Sequence, residues 1–249
     1  MLTEDDLQRV RVVLVRARNP NNIGAVARAM YGFGFRDLRL VSDYPVPLSE
    51  ARSAVDASTV LAGAHEHASL ADAIADCSLV IGTTAGGKRV QEHPLYRLAE
   101  GGALVRGHLA EGHRVALLFG SEKTGLSREE LSYCNWTMTI PMFEREGVRR
   151  PSMNLGQAAA VCLYELGRMD ATPGMAAPAN ASAADLERLT QLMVEMLDAS
   201  EYKRRHPANS DEALLRRLVR RMQLSSADAA MWMGILRQAL WKIREKSET

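Results

Sequence analysis

Val115-Ala116-Leu117-Leu118-Phe119-Gly120-Ser121-Glu122-Lys123-Thr124-Gly125-Leu126 is the stretch whose reading decides the fold. Five apolar residues end at a glycine, the pattern of a strand buried on both faces of a parallel sheet. Gly120 and Gly125 then free the backbone for tight turns and close approach to a ligand. Ser127-Arg128-Glu129-Glu130 follows as a capping box, which predicts a short helix. A second strand is expected over 137–141. Ser152-Met153-Asn154-Leu155-Gly156-Gln157 then leads into an alanine-rich helix, with Ser152 and Asn154 as alternative caps. Polar turns therefore stand at the C-terminal ends of two strands, the edge where open α/β sheets bind small ligands.

The flanking chain repeats the pattern. Val10–Val15 reads as a strand, and Asn19-Pro20-Asn21-Asn22 breaks it, with Asn22 the expected N-cap of a helix reaching Tyr31. Ile23, Val26, Ala27 and Met30 share the inward face of that helix, and Arg28 lies off it. Residues 38–41 and 78–82 read as further strands, and 49–64, 70–76 and 99–110 as helices. Thr83-Thr84-Ala85-Gly86-Gly87-Lys88-Arg89 is a small-residue loop after a strand. This alternation indicates an α/β domain with a mostly parallel sheet and helices on both faces. His65-Glu66-His67 reads as a surface helix end and not a metal pair, since residues two apart on a helix face different ways.

The 249 residues, 47% hydrophobic and 24% charged, are ordinary for a soluble globular protein. The formal charge of +1 provides no global basic field, so a nucleic-acid site would have to be a local patch. Cys77, Cys134 and Cys162 are widely spaced, which argues against a disulfide framework or a zinc site and fits a reducing cytoplasm. The acidic start Met1-Leu2-Thr3-Glu4-Asp5-Asp6 has no apolar leader, and no apolar run reaches membrane-spanning length. The expectation is a cytoplasmic protein with no membrane association and no metal.

Composition changes near residue 169. Residues 1–169 form the α/β domain, 170–184 an Ala/Pro/Gly-rich linker, and 185–249 a small all-α extension with helices near 185–200, 211–222 and 226–245. Lys203, Arg204 and Arg205 in a loop, with Arg216, Arg217, Arg220 and Arg221 on one helix, are the expected basic patch; a solvated helix face is the alternative. Residues 142–151, with Glu144, Arg145, Glu146, Arg149 and Arg150, read either as a mobile loop over the ligand or as a plain charge run. Trp136, Trp232 and Trp241 read as core or interface residues.

Three motifs carry a family resemblance: Asn19-Pro20-Asn21-Asn22-Ile23-Gly24-Ala25-Val26-Ala27-Arg28-Ala29, then Phe119 to Leu126, then Ile140-Pro141 with Ser152-Met153-Asn154-Leu155. In this order they resemble the SPOUT class of RNA methyltransferases, in the TrmH-like branch that methylates ribose 2′-hydroxyls. The resemblance implies a trefoil knot in the C-terminal part of the α/β domain and a homodimer formed through it. It implies S-adenosylmethionine held at Thr83, Thr84, Ala85, Gly120, Gly125, Ile140, Ser152, Met153, Asn154 and Leu155, with the adenine in an apolar slot lined by backbone groups. It places Arg28 beside the reacting ribose, facing the partner's cofactor site, with Asn22, Glu122, Ser152 and Asn154 as the other matching polar positions. Asn22 and Ser152 also suit simple caps. Arg16 and Arg28 join the basic tail as RNA contacts. Ser121 departs from the pattern, where a basic residue is expected. The tail resembles that of tRNA cytidine/uridine 2′-O-methyltransferases, which implies the nucleotide at position 32 of the anticodon loop as target. The same chemistry on ribosomal RNA, and a non-catalytic RNA-binding protein on this fold, are the other readings.

Overall fold

The computed structural model describes residues 2–42, 51, 57–86, 92–143, 152–168 and 180–247. Seven strands, β1 (Val10–Val15), β2 (Asp37–Val41), β3 (His65–His67), β4 (Leu79–Thr83), β5 (Leu95–Arg97), β6 (Val115–Phe119) and β7 (Trp136–Thr139), form one sheet in the order β3-β2-β1-β6-β4-β7-β5. Every pairing is parallel. β1 and β6 are buried along their whole length, as apolar runs without alternation require.

Among the described residues seven helices precede the extension: α1 (Glu4–Leu7), α2 (Pro20–Gly32), α3 (Ser58–Ala62), α4 (Leu70–Ile74), α5 (Leu98–Ala110), α6 (Arg128–Ser132) and α7 (Leu155–Gly167). Successive strand residues point to opposite faces, and two cores result. Val10, Val12, Leu14, Leu117 and Phe119 pack with α2, α5 and α7. Val13, Val15, Ala116 and Leu118 pack with Leu70 and Ile74 of α4 and with Leu126 and Cys134. β7 lies between β4 and β5, although those two follow one another in the chain. The connections around this insertion include 87–91 and 144–151, outside the described residues, so the threading of a knot is not described either.

Several local expectations change. Asn19, not Asn22, caps α2: its side chain accepts from the Asn21 amide at 3.0 Å, and Pro20 fits the first helical position. Asn22 thereby becomes free for another role. Of the two candidate caps of α7, Asn154 is the one used, accepting from the Gly156 amide at 2.9 Å. The capping box at Ser127 and Glu130 forms as expected. His65–His67 is an edge strand paired to β2, not a helix end; a short polar strand is a common way to finish a sheet. The strand β5 had no sequence signal, being three residues long at the other edge. Within 49–64 only Ser58–Ala62 is helical among the described residues, and 43–50 and 52–56 lie outside them. Cys77, Cys134 and Cys162 are buried and free, and burial pushes the Cys134 and Cys162 thiols up to about 12.

The extension contains α8 (Ala183–Ala199), α9 (Tyr202–Arg205), a 3-10 turn (Pro207–Asn209), α10 (Glu212–Arg221) and α11 (Ser226–Ser247). Its own core is Leu186, Leu189, Val219, Ala229 and Leu236. α8 starts inside the stretch read as linker, of which 170–179 lies outside the described residues. The start of α8 is pinned to the α/β domain: the Ala183 amide donates to Cys77 O at 2.5 Å and the Ala184 amide to Ala75 O at 3.2 Å. Among the described residues no helix is long and apolar enough to cross a membrane.

The tightest helix contact is between α2 and α7. A Cβ added at Gly156 would stand 2.5 Å from the Ala25 Cβ. Gly156→Ala is therefore expected to destabilise the protein by about 1–3 kcal/mol, the usual cost of overpacking. Calorimetric melting of Gly156→Ala, and of the same change combined with Ala25→Gly, checks this. The second substitution should restore most of the loss, and Gly167→Ala, with open space around it, should cost little.

Candidate active site

β1, β6, β4 and β7 are neighbours, so the turns at their C-terminal ends form a row about 14 Å long at the usual strand spacing. The first turn begins at Arg16, whose left-handed φ of 55° swings the chain out of the sheet. The second is the Gly120–Leu126 turn, the third Thr83–Ala85, and the fourth begins at Ile140.

Glu122 joins the first two turns. Its carboxylate accepts from the Arg18 amide at 3.3 Å, the Asn19 amide at 3.2 Å and the Asn22 side chain at 3.1 Å. Asn154 donates from Nδ2 to Asn22 Oδ1 at 2.9 Å. The amide orientations are forced in sequence: Asn154 Oδ1 is taken by the Gly156 amide, so its Nδ2 faces Asn22, and Asn22 must then donate to Glu122. Partial burial pushes the Glu122 carboxyl up. Bonds from its own backbone, the Asn22 side chain and the Asn19 and Arg18 amides outweigh that and hold it below the usual carboxylate value.

The Gly120–Leu126 turn folds back on itself. Gly125 has φ 67°, its amide donates to Ser121 O at 2.8 Å, and Ser121 and Thr124 hydroxyls meet at 3.1 Å. A Cβ at Gly120 would run into the Gly125 backbone, so only glycine closes this turn. Arg16 clamps it: Nη2 donates to Gly125 O at 3.2 Å, and the guanidinium pairs with Glu130 at 2.5 and 2.9 Å. Arg16, expected as an RNA contact, is thus engaged in holding the turn; neighbouring β1 and β6 bring Glu130 against it. Next in the row, Thr83 Oγ1 donates to Leu118 O at 2.8 Å and the Thr84 amide to Met138 O at 2.9 Å, tying the third turn to both adjacent strands. Ala85 is exposed, Ile140 and Met153 are half-buried, and Leu155 and Leu126 are buried. Apolar side chains beside fixed main-chain groups suit an adenosyl group in the slot expected there.

Arg28 is exposed on α2, about 9 Å along the axis and about 120° round the helix from Asn22. Ser152 is also exposed. Asn22, Glu122 and Asn154 are therefore brought into one bonded chain, and Arg28 is not part of it.

The basic face of α10 is where the expectation fails. Arg216, Arg217 and Arg220 are buried. Arg216 pairs with Glu187 at 3.0 Å and Glu212 at 2.6 Å, and lies 4.2 Å over the Tyr133 ring. Arg217 pairs with Glu92. Arg220 donates to Ala183 O at 3.1 Å, and burial pushes its guanidinium down to about 10. Arg216, bonded to Ser132 Oγ, and Arg217, paired with Glu92, join α10 to the α/β domain, Arg220 binds α8 within the extension, and none of the three is exposed. Lys203, Arg204, Arg205 and Arg221 are exposed. Glu92 and Glu187, which sequence reasoning missed, carry no local signal: their significance lies in residues more than twenty positions away.

A cleft of about 580 Å³ lies at the opposite edge of the sheet, lined by Arg9, Arg11, Asp76, Arg114 and others. Its central charges neutralise one another, with Arg11 and Asp76 paired at 3.1 Å.

A parallel α/β domain with this row of turns and a docked helical tail has the architecture of an RNA methylase. Residues 9–164 match the SpoU rRNA Methylase family, and the chain belongs to that family. It is 33% identical over 238 residues to the tRNA (cytidine/uridine-2′-O-)-methyltransferase TrmJ of Sodalis glossinidius, covering 92% of this chain and 91% of that one. It is 31% identical over 228 residues to the tRNA (cytidine-2′-O-)-methyltransferase TrmJ of Methanocaldococcus jannaschii, covering 88% of this chain and 95% of the relative. The crystal structure of TrmJ from Z. mobilis matches with a TM-score of 0.77 at 28% identity, over 92% of this chain and 97% of that one.

The lowered Glu122 carboxyl sets a pH dependence. A carboxyl held below its unfolded value of 4.5 stabilises the fold above that value, and the contribution is lost as pH falls through the folded value. Glu122→Gln should therefore melt below the wild type at neutral pH, and the gap should close as the solution is acidified below 4.5. Thermal melts of both proteins across pH 3–7 check the sign, since about two pH units on either side of a carboxyl's titration cover the linkage.

Proposed function

We propose that this protein is an S-adenosylmethionine-dependent methyltransferase acting on the ribose 2′-hydroxyl of tRNA, at cytidine or uridine 32 of the anticodon loop. The observation that carries the reading is the Glu122–Asn22–Asn154 chain beside the row of strand-end turns, on a chain that matches tRNA methyltransferases along nearly its full length. Bound there, the cofactor supplies a methyl group on a sulfonium, ready for in-line displacement. The chain's own part is positioning. The Gly120–Leu126 turn, Thr83–Ala85 and Ile140 would hold the adenosyl end by main-chain groups, and Met153 and Leu155 would line its apolar side. Asn22 and Asn154 present fixed amides at the mouth, oriented by Glu122. Arg28 grips phosphate and stabilises the developing alkoxide, and the 2′-hydroxyl proton passes to solvent water as the oxygen takes the methyl group. No metal enters this scheme.

Arg28 lies away from Asn22 on its own helix, which supports action in a second subunit's site. Tyr31 shares its outer strip, Tyr31 and Tyr164 are 54% and 55% exposed, and Phe33 meets Tyr164 edge-on at 6.0 Å. A homodimer covering this strip removes the apolar surface from water and carries Arg28 to the partner. The RNA-docking patch is Lys203, Arg204, Arg205 and Arg221, on an extension joined to residues 1–169 through 170–184. A cytoplasmic site of action suits the three buried free thiols and a tRNA substrate.

The ribosomal-RNA reading keeps the same chemistry; full-length similarity to tRNA enzymes favours tRNA. Nucleoside mass spectrometry after incubation with tRNA and with ribosomal RNA separates the two, and 2′-O-methylation confined to ribosomal RNA would overturn the proposal. In the same assay Arg28→Ala should lower turnover about 100-fold or more, the usual loss when a group stabilising developing charge is removed, while a binding titration shows tRNA affinity lowered only by one phosphate contact. Replacing Arg204 and Arg205 with Gln should weaken tRNA binding and lower the slope of its salt dependence by about two, one per lost phosphate contact.

A further inference from the structure

Glu92, at the entry to β5, is where three arginines from two parts of the chain meet. Arg128, the first residue of α6, reaches it at 2.5 and 3.2 Å. Arg217 of α10 pairs with the same carboxylate, and Arg221 donates to the Glu92 carbonyl at 3.5 Å. The Arg217 side chain is 5% exposed and the Glu92 side chain 29%, so Arg217 is the partner shielded from water. Removing Glu92 strands a buried guanidinium, whereas removing Arg217 leaves Glu92 paired with Arg128 alone.

α10 holds α6 at its other end as well. Arg216 donates to Ser132 Oγ at 3.3 Å and covers the Tyr133 ring. Asn135 then couples α10 to the sheet: its Nδ2 donates to Arg220 O at 3.2 Å, and its Oδ1 accepts from the Val80 amide of β4 at 2.7 Å. From α6 the bonds continue into the site. Glu130 holds Arg16, and Arg16 holds Gly125 O in the Gly120–Leu126 turn. A continuous path of hydrogen bonds and ion pairs therefore runs from α10 through α6 to the turn that lines the candidate cofactor site.

We propose that α10 is a positioning element of the methyltransferase domain: acting through Glu92 and α6, Arg217 holds the Gly120–Leu126 turn in its binding geometry, so the docked extension sets cofactor affinity as well as serving RNA. This rests on the reading of that turn as part of the cofactor site. Arg217 touches neither ligand. A helix that only anchors the tail would have no reason to grip both ends of α6 and the entry to β5. The turn, inside the family-matched residues 9–164, would then be tuned by a helix outside them.

The experiment uses the full-length chain with Arg217→Gln, Glu92→Gln, the double substitution and Arg217→Lys. Arg188→Gln, which breaks an exposed pair with Asp185 on α8, serves as the control. Calorimetric titration with S-adenosylhomocysteine should show both single Gln variants weakened about threefold to tenfold, the double no weaker than the worse single, Arg217→Lys partly restored, and the control unchanged. Hydrogen exchange supplies a readout independent of any ligand. The Gly125 amide, bonded to Ser121 O, and the Ser127 amide, bonded to Glu130, should lose protection in Arg217→Gln while β6 keeps its own. Unchanged protection at both amides in the folded variant overturns the proposal, as does unchanged affinity for S-adenosylhomocysteine when the wild type binds it. A wild type that binds no S-adenosylhomocysteine refutes the functional reading, and the exchange result still decides whether α10 positions the turn.

Discussion

Where α2 crosses α7, Ala25 faces Gly156 with no room for another carbon atom. That approach fixes how far α7 lies from the first turn of α2, and hence the 2.9 Å separation of Asn22 and Asn154. Asn154 also caps α7, so one side chain ends a helix and orients a site residue at once. A larger residue at 156 would push α7 away and break the amide chain before it disturbed the sheet. The site therefore depends on a contact between two apolar helix faces, set by side-chain volume and not by charge.

The electrostatics of the site are arranged around carboxylates that accept from several donors each. Glu122 collects two backbone amides and a side-chain amide, and Glu130 collects Arg16 and its own capping bonds. Such carboxylates stay ionised because the bonds to the charged form outweigh partial burial. They leave the turns with little freedom before any ligand arrives. In a displacement that needs positioning above all, a turn already in place loses less entropy on binding.

The extension shows the same physics with the signs exchanged. Glu187 and Glu212 receive Arg216 within the extension, and Glu92 receives Arg217 across to the α/β domain. Arg220 is carried inside with them, bonded to the Ala183 carbonyl and held near Glu187. Their long apolar stems contribute contact area while the guanidinium groups find carboxylates or carbonyls. Of the seven basic residues that the sequence offered as a patch, those left outside are on α9 and at the end of α10, so the exposed part of that patch is smaller than the count suggests.

The sequence by itself determined the alternation of strands and helices, the two buried central strands, the capping box at Ser127 and the three longer helices of the tail, α8, α10 and α11. Those features follow from periodicity and local bonds between residues three or four apart. It also brought Asn22, Glu122 and Asn154 to notice through the motifs that carry them, though not the bonds between them. Only the tertiary structure decided that Asn19 caps α2 and so releases Asn22, because both asparagines satisfy the local rule and the partner Glu122 is a hundred residues away. Only it showed Arg16 clamping the Gly120–Leu126 turn, and Arg216, Arg217 and Arg220 buried where a surface patch was expected. A stripe of arginines on a helix looks the same in sequence whether water or carboxylates lie opposite. What lies opposite is set by how distant segments pack, and no local pattern encodes that.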